Sequence, residues 1–139
     1  MLIMKQSPLE AKKNTVGSLG EDLAVKYLKS KGFSIIEQNF RMKLGEIDII
    51  CEKSGITHFV EVKTVSRETN HSKTNNIDEY RPEDKMNETK VLRQKRVIES
   101  YLHQLSEIKE INFQVDLISV ILNKNDKTAK ISLLSDIIL

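Results

Sequence analysis

This sequence predicts an α/β fold, a mixed sheet covered by helices, on three observations. Two stretches carry helical periodicity and five short apolar runs carry strand character. They follow one another as helix, three strands, helix, two strands, an order that suits a mixed sheet with helices packed on it. Finally, 139 residues at 39% apolar content supply one hydrophobic core and not two, so a single domain over residues 1–139 is expected.

The opening stretch, MLIMKQSPLEAKK, turns charged after four apolar residues. Residues 1–14 are therefore expected to be flexible. No later run reaches the ~20 apolar residues that a membrane span needs, so neither a signal peptide nor a transmembrane helix is predicted, and a cytoplasmic setting is the expectation. In SLGEDLAVKYLKSKG (18–32), Leu19, Leu23, Ala24, Tyr27 and Leu28 share one helical stripe, and Gly32 stands where a helix would close. FSIIEQNF (33–40) reads as a strand. LGEIDIICEK and ITHFVEVKTV read as two more, joined at Ser54-Gly55, so the helix is followed by a β-meander. From 66 to 84 the sequence turns polar and loses periodicity, as a mobile loop does. A second helix is expected from about Lys85 to Ile108, with Leu92, Ile98, Tyr101, Leu102 and Leu105 buried. FQVDLISVIL and KISLLSDIIL, separated by the polar turn NKNDK, complete the strands.

Charge excludes little, because the formal net charge is only +2. A single cysteine, Cys51, rules out an internal disulfide and a cysteine-rich zinc cage, and His58, His71 and His103 are scattered. No glycine-rich phosphate loop or serine nucleophile elbow is present. What does call for explanation is GEIDIICEKSGITHFVEVK (45–63), where charged residues interrupt two strands meant for burial.

Strand side chains alternate, so Glu46, Asp48 and Ile50 share one face of their strand, and Phe59, Glu61 and Lys63 share one face of the next. Ile47, Ile49, Cys51, Val60 and Val62 take the other, core-facing side. If Ser54-Gly55 is a two-residue hairpin loop, Lys53 pairs with Ile56, Asp48 lies opposite Glu61, and Glu46 lies opposite Lys63. A longer loop or a bulge would move the acids to opposite faces. Two facing carboxylates repel unless one is protonated or a cation lies between them, and Mg²⁺ or Mn²⁺ favours such oxygen ligands. Lys63 could then stabilise charge on a phosphate or hold the attacking water. Two acids, a lysine and a divalent cation suit phosphodiester hydrolysis.

Asp48, followed after twelve residues by Glu61-Val62-Lys63, resembles the PD-(D/E)xK phosphodiesterase motif. Gly20-Glu21, Asn39, Arg41, Gly45-Glu46-Ile47-Asp48 and Phe59 to Lys63 resemble the YraN family of uncharacterised bacterial proteins. These are predicted nucleases similar to archaeal Holliday-junction resolvases. The resemblance covers nearly the whole chain. It implies a restriction-endonuclease-like fold, with a central mixed β-sheet of about five strands flanked by helices. It also implies that Asp48, Glu61, the Val62 carbonyl and Glu21 bind Mg²⁺ or Mn²⁺, with Lys63 as catalytic lysine. Ile47 stands where the motif has proline, and Val65-Ser66 where an arginine often follows.

Plainer readings stand beside these. Ser18-Leu19-Gly20-Glu21 fits a capping box, which would give Glu21 a structural role. Glu46 would pair with Lys63 or support the site from behind. TKVLRQKR carries Lys90, Arg93, Lys95 and Arg96 without an acid, which suits a solvated helix face or, with Arg41, phosphate contacts. Cys51 reads as an inert buried thiol, and His58 as an edge residue. The leading expectation is a metal-dependent endonuclease acting on DNA, including branched or damaged structures, and working as a homodimer as resolvase-like relatives do. The rivals are a non-catalytic nucleic-acid or protein-binding module with a vestigial site, and an enzyme hydrolysing a small phosphoester.

Overall fold

The structure is a computed structural model that describes residues 16–67, 88–105 and 111–137, leaving aside the side chains of 88–90. The expected flexibility of 1–14 and most of the 66–84 loop fall outside those residues. Helix α1 (Val16–Ser30) is followed by β1 (Ser34–Met42), β2 (Gly45–Lys53) and β3 (Ile56–Arg67), then α2 (Glu88–Leu105), β4 (Phe113–Asn123) and β5 (Thr128–Leu134). The strands form one sheet in sequential order. All neighbours are antiparallel except β3 and β4, which run parallel across the connection that carries α2. This α/β architecture is consistent with a restriction-endonuclease-like fold.

Local chemistry sets the element ends. Gly32 adopts φ 94°, and Phe33 N donates to Leu28 O at 3.0 Å while Gly32 N donates to Lys29 O at 3.1 Å, the paired bonds of a Schellman closure. Phe33 is buried just beyond it, so the closure also delivers an apolar anchor to the core. Between β2 and β3, Ser54 and Gly55 both have positive φ, at 53° and 79°. That two-residue turn has the twist a hairpin favours, and it fixes Lys53 opposite Ile56 as expected from the sequence.

Both faces of the sheet are buried, where the sequence suggested only one core-facing side. Ala24, Val25 and Leu28 of α1 pack with Ile49, Cys51, Val60, Ile118 and Val120. Val97, Ile98 and Tyr101 of α2 pack with Ile50, Phe59 and Val115 on the other face. Ile47 joins this second cluster although simple alternation places it with Ile49. A parallel pair needs a crossover, and the crossover helix covers the face that a meander alone would leave wet. The helical stripes are also rotated from expectation. Leu19, Leu92 and Leu105 are exposed, and Gly20, Val25, Gln94 and Val97 take the inward positions. Ser66 and Arg67, assigned to a loop, belong to β3.

Candidate functional site

The β2–β3 ladder runs from the turn to Ile49 opposite Val60, and the next positions are Asp48 and Glu61. In a continued ladder the Val62 amide would bond across to the Ile47 carbonyl. Instead Val62 N donates to Asp48 Oδ2 at 2.8 Å. A carboxylate has replaced a backbone acceptor where the strands separate, and this keeps the buried amide satisfied while holding the acid in place.

Asp48 and Glu61 are only 9% and 5% exposed. Burial first, and the Glu61 charge second, push the Asp48 carboxyl up to about 7, against the opposing effect of the Val62 N–H; Glu21 and Glu46 add to the rise. Glu61 is held from two sides. Gln94 Nε2 donates to Oε1 at 2.7 Å, and Lys63 Nζ lies 3.2 Å from Oε2. Lys63 reaches this pairing from two residues along the same face of β3.

Glu21 enters from α1. The helix begins at Val16, which places Ser18 inside it and removes the capping-box role proposed for Ser18 and Glu21. Burial raises the Glu21 pKa above its usual value; a hydrogen bond from Asn39 opposes this, and the charges of Glu46, Asp22 and Glu61 add to it. Asn39 sits in β1 at the position facing Asp48, with φ 53°, a conformation asparagine tolerates better than most residues. Gly20 allows the approach. A Cβ built there would lie 1.9 Å from Thr64 Oγ1 and 2.8 Å from Thr64 Cβ, so α1 touches β3 backbone to side chain, one residue beyond Lys63.

The donor set suits a hard divalent cation, since its carboxylates repel one another and the raised pKa values of Asp48 and Glu21 are ones that a cation would reverse. Asp48, Glu61, the Val62 carbonyl and Glu21 are the groups that would hold it. Among the described residues, no three His, Cys, Asp or Glu side chains approach closely enough to ligate an ion unaided. Mg²⁺ ordinarily keeps several waters and takes only one or two carboxylates, which this arrangement can supply.

Other sequence expectations resolve differently. Glu46 pairs with Arg41, directly opposite on β1, at 2.9 Å. Any phosphate contact by Arg41 must therefore compete with a solvent-exposed ion pair worth ~0–1 kcal/mol. Arg93 and Arg96 are exposed on α2, and the Lys90 side chain lies outside the described residues. Cys51 is fully buried, and burial with the Asp116 charge behind it pushes the thiol up to about 12, as an inert role requires. His58 is not an edge residue. It is buried against Phe33 and bonded through Nδ1 to Asp116 Oδ2 at 2.6 Å. The other Asp116 oxygen accepts from Gln114 Nε2 and from the Asp136 amide, so this acid ties β4 to the segment after β5.

Gln94 was missed by sequence reasoning. It lies three and four residues before Val97 and Ile98, so a polar residue on the apolar stripe was the available signal. Among the described residues no helix is long and apolar enough to cross a membrane.

Comparison with known proteins adds a lineage to this geometry. The profile of "Uncharacterised protein family UPF0102" matches residues 20–120. A UPF0102 protein of Dictyoglomus thermophilum is 36% identical over 113 residues, covering 81% of this chain and 86% of that protein. One from Campylobacter fetus is 37% identical over 108 residues, covering 78% and 85%. A third, from Campylobacter jejuni subsp. doylei, is 41% identical over 110 residues, covering 79% and 84%. All matched spans are long enough to include both acids and the lysine.

Proposed function

Because this chain belongs to the uncharacterised protein family UPF0102, the YraN family, whose name assigns no chemistry, we propose from its site that it is a metal-dependent DNA endonuclease. One observation carries this reading: two buried carboxylates, Asp48 and Glu61, meet where β2 and β3 part, with the Lys63 ammonium on the second of them. Buried acids in such a setting cost stability, and the bond from the Val62 amide to Asp48 accounts for one of them only in part, since a neutral acceptor would serve it as well.

Mg²⁺ or Mn²⁺ would supply Lewis acidity toward the phosphoryl oxygen and a lowered pKa for bound water. Asp48, Glu61, the Val62 carbonyl and Glu21 would hold that ion. In hydrolysis, water oxygen bonds to phosphorus, the bond to the leaving sugar oxygen breaks, and the proton lost by the water is balanced by one gained at the leaving oxygen. Lys63 donates to the attacking water or to a non-bridging oxygen and offsets the charge that grows there. Arg93 and Arg96, exposed on α2, would contact flanking phosphates, with Lys90 one turn earlier in the sequence of that helix. Branched or damaged DNA is the substrate class to examine first.

The test is cleavage of labelled single-stranded, duplex, flap and four-way-junction DNA with Mg²⁺ or Mn²⁺. Cutting should stop with chelator and fall by at least ~10²-fold in Asp48→Ala and Lys63→Ala, the scale seen when one charge-stabilising group is removed. A different outcome, no cutting by the native protein with salt-sensitive binding retained in both variants, would establish a non-catalytic binding module. That second reading has its own support, since both Glu61 oxygens already have protein partners.

A further inference from the structure

Gln94 Nε2 is bonded to Glu61, but Gln94 Oε1 is buried and has no hydrogen-bond partner. The residue is only 4% exposed, so bulk water does not satisfy that oxygen. Leaving a buried carbonyl unmet costs about 1–3 kcal/mol, and an apolar residue of similar size would avoid the cost. The amide cannot turn to relieve it. Glu61, when ionised, is an acceptor only, so Gln94 must present its NH₂ to the carboxylate and leave the carbonyl as the vacant end.

We propose that Gln94 is a positioning residue of the metal site: its amide N–H fixes the Glu61 carboxylate in the orientation a cation would need. The inference rests on the proposed metal site and extends it to a residue on a separate element. It accounts for the polar residue on the inward stripe of α2, where Val97 and Ile98 follow. It also makes α2 more than a cover, since the helix sets the orientation of a ligand on β3. Residues that orient ligands in this way contribute ~10–100-fold to metal affinity or activity.

The experiment is Mn²⁺ titration of the full chain, stripped of metal, followed by electron paramagnetic resonance of the free ion, with Gln94→Leu and the more flexible Gln94→Met. Circular dichroism checks that each variant is folded. The Mn²⁺ dissociation constant should rise roughly 10–100-fold in either folded variant. The melting temperature without metal should stay close to the native value, because removing the unmet carbonyl offsets the lost hydrogen bond. A purely structural Gln94 would give the reverse: lower melting temperature and unchanged Mn²⁺ affinity. Equal affinity in the native protein and a folded variant overturns the proposal. If the native protein binds Mn²⁺ without cutting DNA, the nuclease reading falls and the same comparison of dissociation constants still decides the role of Gln94. No Mn²⁺ binding by the native protein overturns both.

Discussion

Replacing Gly20 with alanine is expected to destabilise the protein by about 2 kcal/mol, although the same change in an open helix would favour folding by about 1 kcal/mol. The new Cβ would sit 1.9 Å from Thr64 Oγ1 and 2.7 Å from Cγ2, contacts that rotation of the threonine could relieve. It would also sit 2.8 Å from Thr64 Cβ, which no rotamer moves. The helix must therefore shift from β3, and a packed interior resists that. The melting temperature should drop by roughly 5–10 °C. Glu21 follows Gly20, so the shift also draws it from Asn39 and the acids beyond. Cleavage should consequently fall ~10²-fold even where the variant is fully folded, the scale expected for a misplacement near 1 Å. Thr64→Ala in the same chain should recover part of both losses. An alanine variant as stable as the native protein would show that α1 and β3 are not in the contact described.

Asp48→Asn is expected to act in the opposite direction on stability while abolishing metal-dependent behaviour. The carboxamide of this variant would keep an oxygen for the Val62 amide and present an N–H toward Glu61, so the local bonds survive and the charge repulsion does not. The native carboxyl is held at about 7 in the fold against an ordinary value of 3.8. A raised folded pKa means that the native state holds the proton more tightly than the unfolded chain. The associated stability is complete below the ordinary value and is lost as pH rises through about 7. At ~1.4 kcal/mol per pH unit the ceiling is about 4 kcal/mol. Metal-free native protein should therefore unfold more easily at about pH 8 than at about pH 5, whereas Asp48→Asn should lose much of that slope and melt higher at about pH 8. Mn²⁺ should raise the melting temperature of the native protein and leave the variant unchanged. Denaturant melts across the pH range check both statements, and a variant less stable at about pH 8 would refute the assignment of repulsion to Asp48.

The hairpin register was legible because Ser54-Gly55 suits a tight turn, which sets Lys53 opposite Ile56 and carries the ladder to Ile49 opposite Val60, one position short of Asp48 and Glu61. The mixed sheet was legible from the order of its elements. What escaped depended on contacts far apart in sequence. The His58–Asp116 bond joins residues 58 apart, and nothing around either residue announces the other. Ile47 changed faces because the strands separate beside it, an irregularity that alternation does not encode. Leu92 is hydrophobic yet exposed, because helical phase and not side-chain polarity decides which positions of α2 face inward. A polar residue kept in phase with Val97 and Ile98 was the more informative sign, and it led to the site.

β1, β2 and β3 follow one another through two-residue turns, but β4 can pair with β3 only after the chain between Arg67 and Phe113 has closed. Closing that longer segment is the step with the larger entropic cost, and α2 lies on it. All three acids of the site precede the segment, and Gln94 lies within it. α2 covers Glu61, and the low dielectric beneath it strengthens the repulsion between the carboxylates, which water would screen if the helix were absent. The negative charge of the site is thus a compressed spring beneath this helix, and a cation that neutralises it would act as a clasp holding the crossover shut.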